Sequence, residues 1–98
     1  MQDYQYPIDL DWTPEEMNTV VQLWVAVEMA YEKGIRKDEF LTRYLHFKEV
    51  VPSKGEEKRY GNAFEKESGY SLYQVVKMAR ETERDMVKMS PTQHGKRK

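Results

Sequence analysis

Two histidines, two adjacent pairs of glutamates and three of the four serines are the first candidates for catalysis. His46 lies between Leu45 and Phe47 in an apolar helical repeat, and His94 lies in a polar C-terminal stretch. A zinc site needs about three protein ligands at suitable spacing. The chain has no Cys and no second His near His46 to supply them. Glu15-Glu16 and Glu56-Glu57 each follow a helix-capping residue. Acids there offset the positive end of the helix dipole, so neither pair calls for a general acid–base role. Ser53, Ser68 and Ser71 read as helix-end residues, and no neighbouring His activates them. The five glycines are scattered, so there is no phosphate-cradling loop. The expectation is a protein that is not an enzyme, with no catalytic, cofactor-binding or metal-binding residues.

Basic and aromatic residues point to binding instead. Seven Tyr and two Trp are the most unusual part of the composition. Tyr and Trp suit half-buried positions in small cores and at interfaces. A candidate surface for another protein combines Lys54, Lys58, Arg59, Tyr60 and Tyr73. The alternative partner is nucleic acid. Two helices joined by Gly69-Tyr70-Ser71 have the rhythm of a helix-turn-helix, with Phe64, Tyr70, Val75 and Met78 at its buried positions. The second of these helices would present Gln74, Lys77, Arg80 and Arg84 to base edges. Two features count against DNA or RNA. Glu65 stands four residues before the turn glycine, where close helix crossing wants a small side chain. The 98-residue chain also has 16 Lys+Arg against 17 Asp+Glu, without the basic excess usual in such domains.

These side chains require a helical scaffold to position them. Thr13-Pro14-Glu15-Glu16 is a capping box with Pro at the first helical position. Helix one should run from there to about Lys33 and stop at Gly34. Its stretch from Val20 to Tyr31 is apolar except for Gln22 and Glu28, as in a central helix. Val20, Val21, Trp24, Val27 and Tyr31 are its expected buried stripe. Helix two should cover about Lys37 to Val50, capped by Lys37 or Asp38, and end before Pro52. Its apolar repeat is Phe40, Tyr44, Phe47 and Val51, flanked by Leu41 and Leu45. Helix three follows a capping box at Ser53-Lys54-Gly55-Glu56 and ends at Gly69. Helix four follows another at Ser71-Leu72-Tyr73-Gln74 and should fade near Lys88 or Met89. Its stripe is Leu72, Val75, Val76, Ala79 and Met86.

The ends read differently. Tyr4, Tyr6, Ile8, Leu10 and Trp12 alternate with polar residues or Pro7, the period of an extended segment. No second strand-like run is evident, so residues 1–12 are expected as a strap over the helices. The alternative is pairing with the strap of a second copy in a homodimer. Residues 13–89 then form one all-α domain, a four-helix array around helix one, and residues 90–98 a disordered, flexible basic tail. Charge divides unevenly: residues 1–34 hold seven acids and one base, a net −6, and residues 35–98 hold ten acids and fifteen bases, a net +5. The two parts are expected to attract each other within the fold. No apolar run is long enough for a membrane helix, and the first residues lack a secretory signal, so a cytoplasmic location is expected.

Several runs together resemble a known family. They are Tyr6-Pro7-Ile8-Asp9-Leu10, Trp12-Thr13-Pro14-Glu15-Glu16-Met17, and Phe47-Lys48-Glu49-Val50-Val51-Pro52-Ser53-Lys54. Phe40-Leu41 through Tyr44, Glu56-Glu57-Lys58, Phe64-Glu65 and Ser68-Gly69-Tyr70-Ser71 with Tyr73 complete the set. Over roughly residues 4–85 the chain is similar to uncharacterised protein family 0223, small proteins of Gram-positive bacteria. The resemblance implies a cytosolic, all-helical protein of about this length, and brings no activity, cofactor or site residue with it.

Overall fold

The structure, a computed structural model, describes residues 6–89. The elements in chain order are α1 (Pro14–Glu32), β1 (Ile35–Arg36), α2 (Lys37–Val50), α3 (Lys54–Ser68), α4 (Leu72–Glu81) and β2 (Met86–Val87). Four helices therefore dominate the described residues, with one two-stranded sheet beside them. The expected tail, residues 90–98, lies outside the described residues, as does Tyr4 of the strap.

Local chemistry fixes the helix ends. The Thr13 hydroxyl accepts from the Glu16 amide at 3.1 Å, and the Glu16 carboxylate accepts from the Thr13 amide at 2.9 Å. These reciprocal bonds satisfy two donors that α1 cannot bond internally. At the other end the Lys33 and Gly34 amides both donate to the Met29 carbonyl. Gly34 takes φ +96°, which a side chain would oppose. Ser53 and Ser71 cap α3 and α4 through the Glu56 and Gln74 amides. The return half of each expected box is not formed; Glu56 pairs with Arg59 instead. The N-cap of α2 is Arg36, with no side-chain cap bond, rather than Lys37 or Asp38.

α1 is the centre of the core. Val20, Leu23, Trp24, Ala26, Val27, Glu28, Ala30 and Tyr31 are all buried. Val21 is only half-buried, because Leu23, Ala26 and Ala30 turn inward and shift the buried stripe. The Trp24 ring stacks on Phe64 of α3 at 4.7 Å and meets Phe47 of α2 edge-on at 5.7 Å. Three helices thus converge on one indole. Val75, Val76 and Ala79 bring α4 onto the same core.

Two expectations about strands and helix length are corrected. Ile35 pairs with Val87 and Arg36 with Met86 in an antiparallel ladder, so a second extended run does exist. α4 stops at Glu81 rather than near Lys88. Non-local bonds overrule helix propensity there. Lys37 Nζ donates to the Thr82 carbonyl at 2.8 Å, the Lys37 amide to the Asp85 carbonyl at 2.7 Å, and the Met89 amide to the Ala30 carbonyl at 2.7 Å. Met86 accordingly leaves the α4 stripe and lies 46% exposed on β2.

The described half of the strap follows α1 and α3 without regular alternation. The Tyr6 hydroxyl donates to both oxygens of Glu28, at 2.9 and 3.1 Å, and Trp24 Nε1 donates to the Pro7 carbonyl at 3.0 Å. Asp9 then closes a turn, its carbonyl accepting from the Trp12 amide and its carboxylate from the Asp11 amide. That turn points Ile8 and Leu10 outward, Leu10 at 83% exposure, while Trp12 packs on Tyr60 at 5.4 Å.

Candidate functional site

The structure divides the first candidate surface. Lys54, Lys58 and Arg59 are exposed on α3, and Tyr73 is 68% exposed on the first turn of α4. Tyr60 is buried, so it belongs to the core and not to a contact surface. Its ring contacts Trp12, and the Arg59 guanidinium lies 4.8 Å from its centroid. Arg59 is also paired with Glu56. With 3.6 residues per turn, Lys54 and Lys58 share the side of α3 on which Gly61 meets Leu72 of α4. Arg59 lies around the helix from them.

The second candidate set also changes. Gln74, Lys77 and Arg80 are exposed on α4. Arg84 lies beyond the helix, where its amide donates to the Thr82 hydroxyl. It therefore cannot extend a recognition face along α4. Helical spacing places Tyr73 in line with Lys77 and Arg80, opposite the buried Leu72, Val75, Val76 and Ala79. The two candidate sets thus meet on one face of one helix.

Arg80 is held in place from below. Its guanidinium carbon lies 5.6 Å from the centroid of the Tyr44 ring on α2, within cation–π range. The Tyr44 hydroxyl donates to Glu57 at 2.6 Å, and Lys48 pairs with the other oxygen of Glu57 at 2.7 Å. Burial first, then the Glu57 carboxylate, push the Tyr44 phenol up to about 12. It therefore stays a neutral donor at physiological pH.

A second cluster, around Glu28, escaped the sequence reading. Tyr70 donates to Glu32 at 2.8 Å, and its ring stacks on Tyr31 at 4.6 Å. The Tyr31 hydroxyl accepts from the Ser71 amide at 3.3 Å. With Tyr6 on Glu28, this joins strap, α1 and the start of α4. Tyr6 and Tyr70 are both pushed up to about 12, by burial first and by their glutamate partners second. The available signal was an acid inside an apolar stripe, which demands a buried donor. His46 is exposed beside Asn18, Thr19, Gln22 and Arg43 in a shallow groove. Arg43 there is already engaged by the Gln22 carbonyl and Glu39. Among the described residues no three His, Cys, Asp or Glu side chains gather as a metal site, and no helix is long and apolar enough to cross a membrane.

Fold and surface define a small helical protein with a strap bonded to its central helix and a Tyr-Lys-Arg face on α4. The model of the Uncharacterised protein family (UPF0223) matches residues 3–88, and the chain belongs to that family. It is 59% identical over 85 residues to a UPF0223 protein of Bacillus pumilus, covering 87% of this chain and 96% of the relative. A UPF0223 protein of Enterococcus faecalis is 59% identical over 80 residues, 82% of this chain and 87% of the relative. One from Listeria monocytogenes is 52% identical over 89 residues, 91% of this chain and 99% of the relative. The family description assigns no activity.

Proposed function

We propose that this chain is a non-enzymatic cytoplasmic interaction module whose partner is another protein. Its docking surface is the exposed face of α4, Tyr73, Gln74, Lys77 and Arg80, flanked by Lys54 and Lys58 of α3. The observation that carries the reading is Tyr73, 68% exposed on a helix whose other side is locked into the core. A large side chain on a rigid element loses little entropy on docking, and Tyr and Arg are the residue types that most often dominate interfaces. Tyr60 is excluded from this face by its burial.

The test is photo-crosslinking in a Gram-positive host, with a photoreactive residue at position 73 or, as control, at position 66. Lys66 is exposed on α3, around the helix from the Gly61 side. The reading expects a discrete protein adduct from position 73 and none from position 66. Adducts to nucleic acid alone, or equal adducts from both positions, would overturn it.

A further inference from the structure

The charges around Tyr73 narrow the chemistry of the partner. Four ion pairs occur among the described residues: Arg36–Asp38, Arg43–Glu39, Lys48–Glu57 and Arg59–Glu56. Lys54, Lys58, Lys77 and Arg80 belong to none of them. Lys77 and Arg80 share the exposed face of α4 with Tyr73, and Lys54 and Lys58 lie on the side of α3 that turns towards α4. Arg80 differs from the lysines, because the Tyr44 ring beneath it limits its rotamers while its side chain remains exposed. A guanidinium held this way is prepared for a bidentate carboxylate at reduced entropic cost. Tyr73 offers ring area at the other end of the row. Seven residues separate the two, about 10 Å of helix rise.

The geometry points to an acidic amphipathic helix of a protein partner, lying along α4, as the occupant of this face. An apolar residue of that helix packs on Tyr73, and acids four and seven residues further along meet Lys77 and Arg80. These three positions fall on one face of the partner helix. Charge complementarity selects the acidic partner. Glu81 beside Arg80 and Glu65 in line with Lys58 and Gly61 oppose a continuous phosphate backbone while leaving room for discrete carboxylates. This inference rests on the docking surface proposed above and specifies what it takes.

Fluorescence anisotropy with the full chain tests it. The probe is a lactam-stapled helical peptide carrying Leu, then Glu four and seven residues later. Control probes carry Gln or Lys in place of both Glu, and the last is a random DNA duplex. The Glu peptide is expected to bind at micromolar concentrations in low salt, at least about fivefold tighter than the Gln peptide. The Lys peptide is expected not to bind. Lys77→Glu, which leaves the Arg80–Tyr44 contact in place, should abolish binding, and Arg80→Lys should weaken it. Equal binding of Glu and Gln peptides, no binding of either, or preference for the duplex would overturn the inference. A protein crosslink at position 73 combined with no preference for the Glu peptide refutes the acidic helix alone. Absence of the crosslink refutes the docking surface itself.

Discussion

The same substitution at two glycines should have opposite effects, and the sign at each follows from the backbone. Gly61 is buried inside α3, facing α4, a place where a small residue suggests a crossing too close for any side chain. The distances indicate otherwise. A Cβ at Gly61 would lie 3.5 Å from Leu72 Cδ2 and 3.6 Å from Leu72 Cβ, ordinary contact distances. Gly61→Ala then gains about 1 kcal/mol of helix propensity, and the buried methyl adds up to about 0.8 kcal/mol. Gly34 is different. A Cβ there would also find room, 3.5 Å from Met86 Cε, but its φ of +96° opposes one. Gly34→Ala should cost about 1–2 kcal/mol. Urea unfolding of both variants measures the difference. The expected midpoints move in opposite directions with an unchanged m value, and Tm rises for Gly61→Ala by about 4–8 °C per kcal/mol gained. Destabilisation of Gly61→Ala by more than about 0.5 kcal/mol would refute the reasoning. It would mean that α3 and α4 cross more closely than the Leu72 contacts indicate.

Three further outcomes follow from the packing and the polar contacts. Phe64→Ala empties the position stacked on Trp24 and should cost about 3–5 kcal/mol, enough to unfold much of so small a domain, measured by circular dichroism in urea. Ser71→Ala removes the α4 cap and should cost about 1 kcal/mol in the same assay, with Gly much milder than Ala at that site. Tyr6, Tyr44 and Tyr70 are each raised from 10.0 to about 12 in the folded chain. The unfolded chain loses these protons first, so their contribution is complete below pH 10 and disappears as pH rises towards 12. Urea midpoints followed with tyrosinate absorbance should fall across that window, and a flat profile would contradict the phenol–glutamate hydrogen bonds.

What was legible in the sequence was local. Thr13, Ser53 and Ser71 announced three helix starts through side chains that reach only three residues ahead. Gly34 and Gly69 announced two ends through their need for positive φ. The sheet was invisible because two-residue strands have no period, and Ile35 meets Val87 across a long stretch of chain. The same non-local tie cut α4 short at Glu81 and took Arg84 off the candidate face. Within that face, Tyr73, Gln74, Lys77 and Arg80 could be named individually. Their union could not, because it depends on where α4 ends and on which side of α3 it packs. Tyr60 was misplaced for a related reason. Its spacing to Phe64 marks one buried helical face, but the partner that covers it, Trp12, comes from the strap.

The central claim is that the α4 face is covered by another protein in the cell, and the lack of any native Cys makes a direct measurement simple. Single cysteines at positions 73, 77, 45 and 66 can be labelled with a thiol reagent in living cells and on the purified protein. All four native residues are exposed in the free chain. The account predicts equal labelling of the purified variants and, in cells, protection at 73 and 77 but not at 45 or 66. Equal labelling at all four positions in cells, or protection confined to 45 or 66, would contradict it.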